Sequence, residues 1–202
     1  MRSRQTNKPD KYIVSECAKV LRDELPYNLH IFVNSVEFIA KVIDTLKLAP
    51  EAVKVVCSTS GESRQENQRK LGNAYPIGQP SDPAKKINFY TSTCFEGCDI
   101  FDPDGVTFIV SDGRKAHTLL DISTLFTQIC GRIRDSRYKA QIVHVYSTTK
   151  YSKAVTLDEF VAATQRTLAD AESYAAEINS LSEATRVKTL SKIPYINEQY
   201  VR

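Results

Sequence analysis

The chain has 202 residues, 42% of them hydrophobic, and its 27 Lys and Arg residues against 24 Asp and Glu residues give a net charge of +3. This composition excludes a disordered chain, which would be less hydrophobic and more highly charged. No stretch approaches the roughly 18 consecutive apolar residues of a membrane-spanning helix, and no export signal is recognisable. We therefore expect a cytoplasmic protein without a membrane partner, large enough for one domain with an appendage.

The first part of the chain alternates helical and strand patterns. Apolar residues at helical spacing predict a helix over residues 11–25, which a proline ends. Leu29–Val33 is a short apolar run typical of a buried strand. Asn34 and Ser35 have the chemistry of helix-capping residues, and the apolar positions of Val36–Leu46 predict the helix that follows them.

The alternation continues along the chain. We predict a strand at Val53–Cys57, a helix at Glu62–Leu71, a loop at Gly72–Lys86, strands at Ile87–Thr91 and Val106–Val110, a helix at Leu119–Ile133 and a last strand at Gln141–Tyr146. Strands that alternate with helices imply right-handed crossovers. The predicted fold is therefore a three-layer α/β fold with a mostly parallel sheet.

The chain changes character after the last predicted strand. Leu157–Val187 contains neither glycine nor proline, and its apolar positions predict a long amphipathic helix or a helical hairpin with two acidic residues in its first turn. We therefore expect a domain at residues 1–150 and a helical extension at 151–202, in which Ile193 begins a further segment.

The cysteines and histidines do not form a pattern of metal ligands. Five cysteines without an export signal indicate a reducing setting. Three residues separate Cys94 from Cys98, but no Cys–His pair follows at zinc spacing, so we expect no metal site. His144 alternates with valines in a predicted strand and is expected to be structural.

Polar side chains follow the strand predicted at Ile87–Thr91. Open parallel α/β sheets bind ligands beyond the carboxyl ends of their strands, so a site is favoured here. The hydroxyl groups of Thr91 and Ser92 are suited to phosphate oxygens, and a glycine two residues before Asp99 allows a close backbone approach beside a carboxylate. A capped turn with solvated carboxylates explains the same residues equally well.

A second cluster lies at the end of the helix predicted at Leu119–Ile133. Residues 132–139 carry four cations against one anion, and Gly131 interrupts an otherwise helical run. Glycine costs roughly 1 kcal/mol relative to alanine within a helix, so its place beside two arginines suggests a function. Arginine presents fixed bidentate donors to a phosphoryl group, although a solvated helix surface would tolerate the same charges.

In this order, the two clusters resemble motifs V and VI of superfamily-two helicases and translocases. The residues that carry the resemblance are Thr91-Ser92-x-x-x-Glu96-Gly97-x-Asp99-Ile100 and Gln128-x-x-Gly131-Arg132-x-Arg134. The run His30-Ile31-Phe32-Val33-Asn34-Ser35 is similar to motif IV, a strand that ends in a polar turn. The resemblance implies that residues 29–147 form a RecA-like, P-loop NTPase type domain, the C-terminal one of the two in such motors.

The resemblance implies a role for each matching residue. Arg132 and Arg134 would reach the β- and γ-phosphates of ATP as catalytic arginine fingers, with Gln128 positioning the water or the phosphate. The second arginine follows the first by two positions, whereas many family members have three. The residues implied for the ATP cleft are Gly97, Asp99, Gly131, Arg132 and Arg134, and those implied for the phosphate backbone of DNA or RNA are Asn34, Ser35, Thr91 and Ser92.

The sequence lacks the other half of an ATP site. It contains no Gly-x-x-x-x-Gly-Lys-[Ser/Thr] loop for the phosphates. Its two Asp-Glu pairs, Asp23-Glu24 and Asp158-Glu159, are predicted at helix ends, where they are helix-terminal charges and not ligands of magnesium. We therefore expect ATP and Mg²⁺ to be held mainly by an N-terminal RecA-like domain outside this chain, and the chain alone to be inactive. The alternative is a non-catalytic RecA-like module that docks nucleic acid or protein.

Overall fold

The computed structural model describes residues 1–148 and 155–190. The described residues contain eight strands: β1 (Arg2–Gln5), β2 (Asn28–Phe32), β3 (Val53–Val56), β4 (Ile87–Tyr90), β5 (Ile100–Phe101), β6 (Gly105–Asp112), β7 (Ile133–Arg134) and β8 (Ile142–Ser147). Six of them form one sheet in the order β1-β8-β6-β2-β4-β3, and β5 pairs with β7 in a separate ribbon. Every one of these pairs is parallel.

The described helices connect these strands and follow the last one. They are α1 (Pro9–Leu21), α2 (Val36–Leu46), α3 (Gly61–Leu71), α4 (Thr127–Cys130), α5 (Leu157–Ser180) and α6 (Glu183–Leu190). A wider π-type turn at Ile122–Phe126 leads directly into α4.

Alternate strand residues form two apolar cores, one on each face of the sheet. On one face, side chains such as Ile31 and Phe89 pack against α1, α2 and α3. On the other face, Phe32 and Tyr90 pack against apolar residues of segments 94–100 and 125–130. Because both faces of the inner part of the sheet are covered, strands such as β4 and β6 are buried along their whole length, as is typical of parallel sheets. The predicted α/β class with a mostly parallel sheet is confirmed.

Helix α2 has the bounds that its sequence predicts. The Ser35 hydroxyl accepts a hydrogen bond from the Phe38 amide at 3.2 Å and so caps the helix. Lys47 ends it in a left-handed conformation. Asn34 therefore lies in the short turn between the end of β2 and the capped start of α2, and this unit sets its position.

Two predictions about element bounds are wrong, and the edge strand β1 has no counterpart among the predicted elements. The first helix ends at Leu21 and not at residue 25, because Asp23 adopts a left-handed conformation with φ of 56°. The helix predicted at Leu119–Ile133 is helical only from Ile122 to Cys130, because Ile133 leaves it to pair with Ile100 in the ribbon. The edge strand β1 was not predicted, since Arg2–Gln5 has no apolar residue.

The chain divides into two compact units, Met1–Lys150 and Tyr151–Arg202. In the second unit, α5 begins with a reciprocal capping box, in which the Thr156 hydroxyl accepts from the Glu159 amide and the Glu159 carboxylate accepts from the Thr156 amide. The predicted helical character and acidic first turn are confirmed. The segment from Ile193 lies outside the described residues. Among the described helices, none has the length and apolar character needed to cross a bilayer.

Candidate functional site

Asn34 joins two loops at the carboxyl end of the sheet. Its side-chain nitrogen donates to the His117 carbonyl at 2.9 Å, and its side-chain oxygen accepts from the Ser92 amide at 3.3 Å. These bonds hold the loop that follows β4 and the loop that follows β6 against the end of β2. Two residues that the sequence analysis assigns to nucleic acid, Asn34 and Ser92, are therefore neighbours at one edge.

The two other residues assigned to nucleic acid are buried at the same edge. Ser35 is 7% exposed and Thr91 is 5% exposed. The Ser35 hydroxyl caps α2, and the Thr91 hydroxyl lies 3.5 Å from that of Thr93. Ser92 is the most exposed of the four, so its hydroxyl is the one that a ligand reaches most easily.

The clusters after β4 and after α4 meet in the β5–β7 ribbon. The Ile100 amide donates to the Arg132 carbonyl at 2.9 Å. Beside this bond, Arg134 Nε donates to Asp99 Oδ1 at 3.0 Å, with the two side chains 49% and 48% exposed. An ion pair this exposed contributes about 0–1 kcal/mol, so another anion can replace Asp99 at little cost.

Arg132 is only 9% exposed, and its guanidinium donates to three acceptor atoms on two residues, Gln128 and Cys98. Nε donates to the Gln128 carbonyl at 3.1 Å, and one Nη donates to the Cys98 carbonyl at 3.0 Å. The other Nη donates to the side-chain oxygen of Gln128. Arg132 therefore ties the end of α4 to the segment before β5, whereas Arg134 is the arginine that faces solvent.

The two glycines of the site differ in what their backbone requires. Gly97 is exposed and has a φ of +72°, a left-handed conformation that favours glycine. Gly131 has a φ of −96°, and a Cβ atom built on it would come no closer than 3.7 Å to the Gln128 carbonyl oxygen. The local backbone therefore does not require a glycine at 131, and a Cβ atom there would make only ordinary van der Waals contacts.

A buried polar network that the sequence analysis missed lies beneath the ribbon. His30 is fully buried in β2, with Nε2 at 2.8 Å from Asp102 Oδ2 and Nδ1 at 3.1 Å from the Tyr90 hydroxyl. Asn28 also donates to Asp102 Oδ2, at 3.0 Å. The Asp104 amide donates to the other carboxylate oxygen at 2.9 Å. Asp102 follows β5 directly, so this network anchors the ribbon to the central strand of the sheet.

Close packing around Gly105 strengthens this anchor. The Ser136 hydroxyl donates to the Gly105 carbonyl at 2.6 Å, which ties the residues after β7 to the start of β6. A Cβ atom on Gly105 would lie 2.9 Å from His30 Nε2 and 3.1 Å from Ile133 Cγ2, so only glycine fits. The turn sequence Asp102-Pro103-Asp104-Gly105 is visible in the chain, but its pairing with His30 is not.

The network predicts a pH dependence of stability. Burial lowers the pKa of His30 below its ordinary value of 6.5, although Asp102 acts in the opposite direction. Burial also lowers the pKa of His144. Below about pH 6.5 the unfolded chain therefore binds protons that the folded chain does not, so the free energy of unfolding should fall between about pH 7 and about pH 5. Each histidine contributes at most about 1.4 kcal/mol per pH unit.

Denaturant unfolding at several pH values between about 5 and about 7 measures the slope of the free energy of unfolding against pH. We expect His30→Gln to reduce it and His144→Gln to reduce it separately. Burial acts to raise the pKa of Asp102, but the hydrogen bonds from His30, the Asp104 amide and Asn28 outweigh this and hold it below its ordinary 3.8. The contribution of Asp102 to the free energy of unfolding is therefore lost only below the pH range in which the histidines act. An unchanged slope in both variants would show that neither histidine is kept neutral by the fold.

The basic run after α4 is largely neutralised by its surroundings. Arg134 pairs with Asp99, and Arg137 Nε donates to Asp104 Oδ1 at 2.7 Å. Arg132 has carbonyl and amide partners, as described above. The local excess of positive charge in the sequence is thus not a continuous basic surface in the fold.

The cysteines have packing roles. The Cys98 thiol donates to the Cys94 carbonyl at 3.2 Å. Burial raises the pKa of Cys94 to about 12, so this thiol stays protonated. Within residues 1–148 and 155–190, no group of three or more His, Cys, Asp and Glu side chains is placed to hold a metal ion.

No protein-family model matches the chain, and no curated protein matches it.

Proposed function

We propose that residues 1–150 are the C-terminal RecA-like motor domain of an ATP-dependent superfamily-two helicase or translocase, and supply half of its ATP site. One observation carries the proposal: the ribbon brings Asp99, Arg132 and Arg134 together from segments that are distant in sequence. The resemblance assigns these residues to one ATP cleft, and their proximity in the fold agrees with that assignment.

The residues of the ribbon fit an ATP phosphate. The bond from Arg134 to Asp99 uses Nε, so both Nη groups can donate to a phosphoryl oxygen. Gly97 and Gly131 carry no side chain that would block the approach. ATP and Mg²⁺ would be held mainly by the partner RecA-like domain, where ATP supplies the phosphoryl group that is transferred to water. Arg134 would stabilise the charge that develops on that group, and Gln128 would orient the water or the phosphate.

The edge formed by Asn34 and Ser92 fits a nucleic-acid backbone. The Ser92 hydroxyl is exposed, and Asn34 holds the Ser92 amide in place. Contacts of this kind position a phosphate without reading the base sequence. Closing and opening of the ATP cleft would move this edge along the strand.

A second candidate function is a non-catalytic docking module of the same fold. The burial of Arg132 favours it, because three of the Arg132 donors already have partners and the side chain acts as a structural tie. In a docking module, the exposed Arg134 would not bind an ATP phosphate.

The distinguishing experiment joins this chain to a RecA-like domain that carries a phosphate-binding loop. We call the joined protein the assembled motor. We expect ATP turnover that rises when DNA or RNA is added. Nucleic-acid binding without any turnover in the assembled motor would favour the docking module.

A further inference from the structure

A groove lies between β1 and α1, at the edge of the sheet opposite the Asn34–Ser92 site. The cavity has a volume of about 570 Å³. It is lined by β1, α1, Tyr27 just before β2, and residues at the amino-terminal ends of β6 and β8. In the parallel register Arg2 pairs with Val143 and Arg4 with Val145. Both arginines therefore point to the face of the sheet that α1 covers.

Two tyrosine rings and two arginines, Tyr12, Tyr27, Arg2 and Arg4, line this β1–α1 groove. The Arg4 guanidinium lies 5.7 Å from the centre of the Tyr12 ring. At the far wall, the Tyr27 and Tyr138 rings meet edge to face with their centres 5.6 Å apart. Tyr12 and Tyr27 are both half-buried, so each ring is held by the protein but keeps part of its surface exposed.

The charges of the β1–α1 groove favour an anion at its rim. Glu16 lies in the groove, but Lys19 pairs with it at 2.7 Å. Arg137, near the far wall, pairs with Asp104. Arg2 and Arg4 are exposed on β1, and no carboxylate pairs with them among the ion pairs of the described residues. The rim on the β1 side is therefore positive.

We propose that the β1–α1 groove is a second binding site for single-stranded nucleic acid. Arg2 and Arg4 would hold successive phosphates, and bases would stack on Tyr12 and Tyr27. Cationic side chains beside aromatic rings are the combination that binds single strands without sequence preference. An acidic peptide fits less well, because its side chains would meet Glu16 at depth and would leave the rings without a planar partner.

The site is separate from the one under the proposed function. It lies at the amino ends of β2, β6 and β8, whereas Asn34 and Ser92 lie at the carboxyl ends of the strands. Binding at the β1–α1 groove therefore does not depend on ATP turnover, and loss of binding at one site leaves the other site unaffected.

The test measures binding of a fluorescein-labelled oligothymidylate to the whole chain by fluorescence anisotropy at several salt concentrations. Removing both groove charges with Arg2→Gln and Arg4→Gln should weaken binding about tenfold and lower the salt slope by about 1.4, the value for two phosphate contacts on a single strand. The control is Arg64→Gln with Arg69→Gln, which removes the same charge from exposed positions on α3. An equal loss in both double variants would overturn the proposal.

Two further measurements test base stacking and the position of the bound strand independently of charge. Tyr12→Leu keeps an apolar side chain and all charges, and should weaken binding about fivefold or more through lost stacking. Photocrosslinking of a bromodeoxyuridine strand should label the peptide that holds Tyr12 or the one that holds Tyr27. Labels confined to the Asn34 and Ser92 loops would contradict the groove while supporting the proposed function. Displacement of the oligonucleotide by polyglutamate at equal charge concentration would identify an acidic peptide as the ligand and overturn the proposal.

Discussion

Replacing Arg134 with alanine should lower ATP turnover of the assembled motor by about three orders of magnitude or more, which is the effect of removing an arginine finger. The Arg134 side chain is 49% exposed, and its ion-pair partner among the described residues is the exposed Asp99. The substitution should therefore leave the free energy of unfolding almost unchanged. A large loss of turnover without a loss of stability is the signature of a residue that acts on the reacting phosphate.

Two comparisons sharpen this result. Arg134→Lys keeps the charge but loses the planar pair of donors, so it should recover only part of the rate. Arg137→Ala removes another exposed arginine from the same segment and should leave turnover close to wild type. Turnover that Arg134→Ala leaves unchanged, or that Arg137→Ala lowers equally, would show that Arg134 is not the finger.

Replacing Asp102 with alanine should lower the free energy of unfolding by about 3 kcal/mol or more, because it leaves buried partners without their acceptor. His30, Asn28 and the Asp104 amide all donate to this carboxylate. Since the carboxylate anchors the β5–β7 ribbon, the variant should also weaken the position of Arg134 in the assembled motor.

Urea unfolding of the variant and of Asp104→Ala measures the effect. Asp104 belongs to the same turn, but its carboxylate pairs with the exposed Arg137, so its loss should change the free energy of unfolding by less than about 1 kcal/mol. Equal effects of the two substitutions would contradict the anchoring role of Asp102.

Local patterns in the sequence predict much of the sheet and its helices. Helix α2 follows from the Ser35 cap and from apolar positions at helical spacing, both of which act within a few residues. The strand β1 has no such signal, because Arg2–Gln5 is held by backbone bonds to β8 and leaves its side chains exposed. An apolar pattern cannot reveal a strand that buries nothing.

The site depends more heavily on contacts between distant residues. The sequence indicates Asp99, Arg132 and Arg134 as candidates, but it places Arg132 on a helix, whereas Arg132 directly precedes β7 and Arg134 lies in that strand. The ribbon forms because Ile133 and Ile100 are both buried there. The link between His30 and Asp102 joins positions too far apart in sequence for any local pattern to show, and it decides where the ribbon sits.

The most direct test of the half-site is steady-state ATP turnover by the purified chain alone and in the assembled motor. We expect no turnover above background for the chain alone at any concentration of nucleic acid. In the assembled motor, we expect turnover that Arg132→Ala abolishes, because Arg132 ties α4 to the segment that carries Asp99. Appreciable turnover by the chain alone that is lost in Arg132→Ala would show that the chain holds a complete site and would overturn the half-site proposal.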